Sequence, residues 1–288
     1  MKIALIFGKE RPDTMGMYFE RTLKALGHDI THFSPKDINN IKPEYDFYFR
    51  VDDGHYDYLI PERFRPRVYY VSDTHLKGPF KKIKKHISRG VYDLVFCPML
   101  KEIEILKKIS PVDVIWMNVG CDPEIHKRLD VGRKYDIGFV GNDGGIPRKF
   151  YLQEIRERYP NSFIGRADYR EISSVYSASK IGFSFAIRGE CFTMRNYEIM
   201  SCGAMLLMKR LRDDSAERMG FVDRKHLVIF DGPKDLFRLI DYYLKNEKER
   251  KQIAENGYKI ITEKHTYKHR LAEMMDIVKS RCVGQPAG

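Results

Sequence analysis

Residues 180–210 read KIGFSFAIRGECFTMRNYEIMSCGAMLLMKR, and this stretch decides the fold. An apolar, strand-like run over Lys180–Phe185 leads through a polar loop into a short helix predicted over Met194–Cys202. Gly203 ends that helix, and a second apolar strand follows over Ala204–Lys209. Buried strands that alternate with helices are typical of a parallel sheet covered by helices.

The polar part of this stretch combines groups that bind sugars and phosphates. Glu190 precedes the helix and Glu198 lies within it, with seven residues between them. Carboxylates accept hydrogen bonds from sugar or ribose hydroxyls, and a helix start capped by Thr193 can hold a diphosphate together with Arg195. A single surface glutamate is usually only solvated. Two carboxylates, two arginines and a helix start together favour a binding site.

The same alternation extends through the whole chain of 288 residues. Before the decisive stretch, strands are predicted at Lys2–Gly8, Asp29–Phe33, Tyr45–Val51, Arg67–Val71, Tyr92–Cys97, Asp113–Met117, Tyr135–Gly141 and Ser162–Gly165. Helices are predicted at Thr14–Leu26, Phe80–Ser88, Met99–Ile109, Pro147–Arg158 and Tyr169–Ser177. After it come a strand at Leu227–Phe230 and helices at Lys234–Asn246, Glu247–Glu263 and Tyr267–Ser280.

The pattern breaks near Asn118–Lys134, where Gly120, Asp122-Pro123 and Gly132 interrupt any periodicity. We therefore predict an N-terminal Rossmann-like domain over residues 1–122, a linker over 123–134, a C-terminal Rossmann-like domain over 135–280 and a tail over 281–288. The fold class is α/β, with two Rossmann-like domains facing a central cleft onto which the carboxyl ends of the strands open.

Composition narrows the class of protein. The hydrophobic fraction of 43% and charged fraction of 32% exclude a disordered chain, and no apolar run approaches the ~20 residues of a membrane span. Five cysteines without a Cys-x-x-Cys pair argue against a disulfide framework or zinc site, which favours a cytoplasmic location. The net charge of +11 implies attraction to anions without identifying one.

A glycine-rich loop between a strand and a helix is a second candidate anion site. Phe139–Arg148 reads FVGNDGGIPR, in which Gly141 and Asn142 begin the loop and Arg148 opens the next helix. Loop amides, the helix dipole and the cations Arg148 and Lys149 could bind phosphate. A glycine-rich turn with solvated cations explains the same residues, and the loop matches neither the dinucleotide fingerprint nor the P-loop.

The quoted stretch resembles the donor-binding segment of GT-B glycosyltransferases of the large retaining group known for its Glu-x7-Glu motif. It is most similar to the CgeB-like (spore-maturation) branch, through Arg195-Asn-Tyr-Glu198-Ile-Met-Ser-Cys-Gly203. Residues 256–270, which contain Asn256-Gly-Tyr and Glu263-Lys-His265-Thr-Tyr267, resemble that branch's C-terminal signature. The common Phe-Gly after the first glutamate is replaced by Cys191-Phe192, which changes the shape expected of the sugar pocket.

The resemblance implies transfer of a sugar from a nucleoside-diphosphate sugar, with retention and without a metal ion or other cofactor. Glu198 would bind the ribose, and Glu190 the donor sugar. Amides near Cys191, Phe192 and Thr193, with Arg195, would hold the diphosphate. The glycine loop with Arg148 would contribute from its own side, and Arg188 would be a further donor-binding residue. The first domain would then be the acceptor-side domain and the second the donor domain. The fold also commonly returns its last helix to the first domain.

In the first domain, Asp73 and His75 follow a predicted strand, at the edge where a donor or acceptor would lie. An imidazole there could accept a hydroxyl proton, although an ordinary surface or core role is the commoner one for a histidine. Val51–His55 is a further candidate group, and neither Asp52-Asp53 nor Asp213-Asp214 predicts a metal site.

Lys77–Arg89 combines six cations with apolar residues at helical spacing. Most such helices simply solvate one face; the functional alternative is contact with an acidic polymer or with the periphery of a membrane. The acceptor stays open among glycan, protein, lipid and nucleic acid. The competing functions are a nucleotide-sugar epimerase on the same fold and a non-catalytic protein that binds nucleic acid or other anions.

Overall fold

Two parallel β-sheets, each covered by helices, organise the part of the chain that the computed structural model describes, namely residues 1–10, 12–186 and 191–283. The chain divides into two units, one formed by Met1–Val119 with Tyr267–Gly288 and the other by Gly120–Thr266. The predicted α/β class with two Rossmann-like domains is confirmed.

The first unit contains a six-stranded sheet in the order β2-β1-β3-β4-β5-β6. Its strands are β1 (Lys2–Ile6), β2 (Asp29–Phe33), β3 (Phe47–Val51), β4 (Arg67–Tyr70), β5 (Leu94–Cys97) and β6 (Val114–Trp116). β3 and β4 are buried along their whole length because helices cover both faces of a parallel sheet. This explains why these strands read as apolar or aromatic runs apart from one buried arginine in each, Arg50 and Arg67.

The helices of the first unit are α1 (Met15–Ala25), α2 (Lys77–Ser88), α3 (Leu100–Ile109) and, after the second unit, α10 (Tyr267–Val278). Two 3-10 helices lie at Pro35–Asn40 and Asp73–His75, and a π-helical turn covers Lys279–Val283. α2 begins three residues before its predicted start and buries Ile83 and Ile87.

The second unit contains a five-stranded sheet in the order β11-β10-β9-β7-β8. Its strands are β7 (Tyr135–Val140), β8 (Phe163–Gly165), β9 (Ser179–Ser184), β10 (Met205–Lys209) and β11 (Val228–Phe230). Its helices are α4 (Arg148–Arg158), α5 (Ile172–Ser177), α6 (Met194–Ser201), α7 (Ser215–Arg218), α8 (Pro233–Lys245) and α9 (Glu247–Lys264). The short helix α7 was not anticipated.

α6 lies unusually close to β9, and a glycine allows it. A Cβ built on Gly182 would lie 2.3 Å from Ile199 Cγ2, far inside van der Waals contact. Any larger residue at this position would push the helix away from the sheet. The sequence thus fixes the height of α6 above the strand that precedes it.

The last helix and the segment between the sheets differ from the predicted boundaries. Tyr267, at the start of α10, stacks on Tyr18 of α1 with ring centroids 5.2 Å apart, so α10 belongs with the first unit, as the resemblance implied, and not within a domain over 135–280. Residues 123–134, expected as a linker, are bonded to the second unit: the amides of Lys127 and Leu129 donate to the hydroxyls of Ser173 and Ser177.

No helix among the described residues is long and apolar enough to cross a membrane.

Candidate active site

The order in which the chain adds strands to the second sheet reverses between β7 and β9. β7 continues through α4 to β8 on one side, whereas β9 continues through α6 to β10 on the other. Loops that leave neighbouring strands in opposite directions open a crevice at the carboxyl edge, which is where ligands bind in such sheets. The glycine loop after β7 and the described ends of the segment between β9 and α6 flank this point, so both candidate donor loops begin at one edge.

Gly141 is required at the start of the glycine loop. Its φ is +140°, which L-residues rarely adopt, and its amide donates to the carbonyl of Gly165 at 2.8 Å. A Cβ there would lie 2.5 Å from Arg195 Nη2. The loop backbone and the Arg195 guanidinium therefore approach each other closely only because position 141 has no side chain.

Arg148 braces the loop from inside. Its Nη2 donates to the carbonyl of Asn142, Nε to that of Asp143, both at 2.9 Å, and Nη1 to that of Phe185 at 3.2 Å. Burial, reinforced by the neighbouring Arg195 charge, lowers the pKa of Arg148 to about 10. These contacts give Arg148 a structural function that the sequence analysis did not foresee.

Arg195 connects the two loops. Its Nε donates to the carbonyl of Val140 at 3.1 Å, and its guanidinium carbon lies 4.5 Å from the centre of the Phe139 ring. Its Nη2 lies beside Gly141 at the carboxyl edge, 2.5 Å from where a Cβ of that residue would be. This is a suitable position for a cation that binds an anion at the switch point.

The start of α6 differs from the prediction in one detail. Thr193 occupies the N-cap position with extended backbone, but its side chain makes no capping hydrogen bond. Its hydroxyl instead lies 3.5 Å from the Asn196 side-chain oxygen. The hydroxyl is therefore not the cap that was predicted.

Glu198 lies one turn after Arg195 on α6, so both side chains are on the same side of the helix. Its side chain is 14% exposed, and its Oε1 is 3.9 Å from Nε2 of His126, which is buried. The carbonyl of His126 also accepts a 2.6 Å hydrogen bond from Ser201. Sequence reasoning missed His126 because it lies in the segment interpreted as a linker.

Of the four donor-site residues predicted around and including Glu190, over residues 188–192, the structure describes Cys191 and Phe192. Phe192 is fully buried and stacks on Phe221 with ring centroids 4.5 Å apart, so its side chain belongs to the core and only its backbone can meet a ligand. Cys191 is partly exposed. Arg188 and Glu190 lie outside the described residues, and their predicted roles stay predictions.

The first sheet has its own switch point, between β1 and β3. There Asp53 accepts hydrogen bonds of 2.5 Å from the amide of Gly8 and from Arg50. Burial acts to raise the pKa of Asp53, but the hydrogen bond and charge of Arg50 outweigh it and hold this pKa below its usual value. This tight pairing gives the Val51–His55 group an evident structural function.

The predicted catalytic carboxylate Asp73 is held by its neighbours. Its Oδ2 accepts a 2.5 Å hydrogen bond from Tyr56, and its amide donates to buried Asp52. Burial, with the nearby Asp73 charge, raises the pKa of Asp52. The backbone of His75 ends the same 3-10 helix, while its side chain lies outside the described part of the chain.

Solved structures share this fold. Sucrose-phosphate synthase from Thermosynechococcus elongatus superimposes with a TM-score of 0.71 at 11% identity, covering 97% of this chain and 99% of that one. HepE from Anabaena in complex with UDP gives 0.65 at 14%, covering 96% and 100%. An alpha-glucosyltransferase in complex with UDP and a 13-mer DNA containing a HMU base gives 0.66 at 12%, covering 97% and 99%. The fold is that of the GT-B glycosyltransferases.

No curated protein matches this sequence. A family model described as glycosyl transferase-like matches residues 125–276, which is more than half of the chain and includes the switch point of the second sheet. The chain belongs to this glycosyl transferase-like family and is an enzyme of the glycosyltransferase class.

Proposed function

We propose that this enzyme transfers a sugar from a nucleoside-diphosphate sugar to an acceptor and binds its donor at the switch point of the second sheet. The observation that carries the proposal is the convergence of Gly141, Arg195 and Glu198 at one carboxyl edge. HepE and the DNA-containing alpha-glucosyltransferase complex both hold UDP, which supports a nucleotide as the ligand.

Each group has a proposed function in donor binding. The Glu198 carboxylate accepts hydrogen bonds from the ribose hydroxyls, and Arg195 with the first amides of α6 neutralises the diphosphate. Arg148 holds the glycine loop in the shape that admits the phosphates. Arg188 and Glu190 complete the sugar end of the site by analogy with the Glu-x7-Glu group.

The chemical step is electrostatic in this proposal. Stabilisation of the leaving diphosphate by fixed donors lowers the barrier to cleavage of the sugar–oxygen bond. A guanidinium and helix amides can stand in for a cation, which supports donor binding without a metal ion or further cofactor. Asp73 and His75 are proposed to orient or deprotonate the acceptor hydroxyl. CgeB-like ancestry, retention of configuration and a cytoplasmic location belong to the same proposal.

A donor screen tests this function. Purified enzyme is incubated with UDP-, GDP- and ADP-sugars, with and without glycan, lipid, peptide and DNA acceptors, and free nucleotide and product are quantified. Acceptor-dependent release of nucleotide with a glycosylated product is expected. Release without any acceptor, accompanied by a new free sugar, would identify an epimerase or hydrolase. Absence of both turnover and nucleotide binding across the screen would contradict the proposal.

A further inference from the structure

One surface of the first unit carries a dense group of cations. Between Lys77 and Arg89 there are six Lys and Arg residues and no carboxylate. α2 turns Ile83 and Ile87 into the core, so the cations occupy the remaining faces, and Lys81 and Lys85 are exposed.

The neighbouring helix extends this charge and adds apolar side chains. α3 packs beside α2 and buries Ile103 and Leu106. Beside this buried face, α3 presents Ile105, 44% exposed, and Ile109, 37% exposed, among three exposed lysines and one exposed carboxylate, Glu104. Exposure of isoleucine side chains to water does not stabilise the protein. Their position among lysines points to a partner that is both anionic and apolar.

A loop adds apolar residues to the same surface. Lys82 Nζ donates to both carboxylate oxygens of Asp57 at 2.8 Å, which holds the loop against α2. The following Tyr58 and Leu59 are exposed, as is Leu76 at the start of α2. Half of the ten large exposed hydrophobic residues in the described chain thus lie on α2, α3 and this loop, which we call the basic surface.

We propose that the basic surface docks the enzyme on an anionic lipid bilayer. The nine Lys and Arg residues of α2, its C-cap Arg89 and α3 would meet the headgroup phosphates, and the exposed leucines and isoleucines would enter the interface between them. A single-stranded nucleic acid would favour aromatic stacking platforms, whereas four of the five exposed apolar residues here are aliphatic. The phosphates through which a protein binds duplex DNA would offer these aliphatic side chains no apolar contact. The proposal is independent of the donor chemistry in the second unit.

Vesicle co-sedimentation tests the charge. The wild-type protein should bind phosphatidylcholine vesicles containing phosphatidylserine, release them at high salt and ignore pure phosphatidylcholine. At about 1 kcal/mol per basic residue, K81Q/K85Q/K108Q should weaken the partition coefficient on the order of a hundredfold. The control K36Q/K42Q/K268Q has the same net charge outside the basic surface and should bind as the wild type does. Equal binding by the two variants would overturn the proposal.

The apolar contribution needs its own variant. L76S/I105S retains every cation and should still lose about tenfold in binding to the anionic vesicles, with UDP affinity and melting temperature unchanged. Binding of duplex DNA as tight as that of vesicles, with the serine variant unaffected on both, would overturn a lipid partner in favour of a nucleic acid. UDP affinity, measured on every variant, separates this proposal from the donor site: failure of vesicle binding leaves UDP binding intact.

Discussion

Replacement of Glu198 by alanine tests the donor site most directly. The side chain of Glu198, in the second turn of α6, is 14% exposed, so a hydrogen bond from a bound ribose would be largely shielded from water. A hydrogen bond to a charged group contributes about 1.5–3 kcal/mol. Because 1.36 kcal/mol corresponds to a factor of ten, Glu198→Ala should weaken nucleotide binding roughly 10- to 150-fold for one such bond.

Calorimetric titration with UDP and with 2′,3′-dideoxy-UDP separates the ribose contact from indirect effects. On the wild-type enzyme, removal of the hydroxyls should cost about as much as the mutation does. On Glu198→Ala, the two nucleotides should bind equally, because the same interaction is already absent. Glu263→Ala, at an exposed position of α9, is the matched control. A variant that still prefers UDP over the dideoxy analogue by the full wild-type factor would refute the ribose assignment.

Three further changes have defined outcomes. Gly141→Ala should cost about 1–3 kcal/mol of stability and weaken UDP binding, whereas Gly165→Ala, which meets no neighbouring atom, should do neither; unchanged UDP affinity would contradict the close approach. Asp53→Asn leaves a buried arginine charge unpaired and should cost about 3–5 kcal/mol at pH 7. Because the pKa of Asp53 is lowered in the folded protein, this stabilisation is lost as the pH falls through the folded-state pKa. In urea unfolding, the wild type and Asp53→Asn should therefore differ more in free energy of unfolding at pH 7 than at acidic pH, and equal differences would contradict the prediction. His75→Ala should lower turnover at least about tenfold with unchanged UDP affinity, and a stable variant with normal turnover would eliminate His75 as a catalytic group.

The strands were predictable because burial on both faces leaves a local record in the sequence. Phe47–Val51 is buried at every residue and reads as one apolar run apart from its arginine. The edge strand β2 was also predicted with its observed bounds, although it is only partly buried. The position of α10 was implied by the resemblance alone. The amphipathic pattern of α10 indicates that one face of the helix is buried. It does not indicate which sheet this face packs against, because that depends on contacts such as that of Tyr18 with Tyr267.

The site was predictable where its residues are close in sequence, as Arg195 and Glu198 are, and unpredictable where the chain returns from a distance. His126 reaches Glu198 only because its own segment packs on α6. The two loop arginines show a related difficulty. A loop that turns at glycines leaves carbonyls without regular amide partners, and such buried acceptors need donors.

Arg148 donates to three such backbone carbonyls, so a cation that was expected to bind the ligand stabilises the loop instead. Arg195 binds one carbonyl through Nε and holds its Nη2 group beside Gly141. A guanidinium has five donors, and those on Nη2 of Arg195 lie beside Gly141, at the edge where a phosphate would enter. Of the two cations, Arg195 is therefore the one whose removal should act on the nucleotide directly, while removal of Arg148 should act through the shape of the loop.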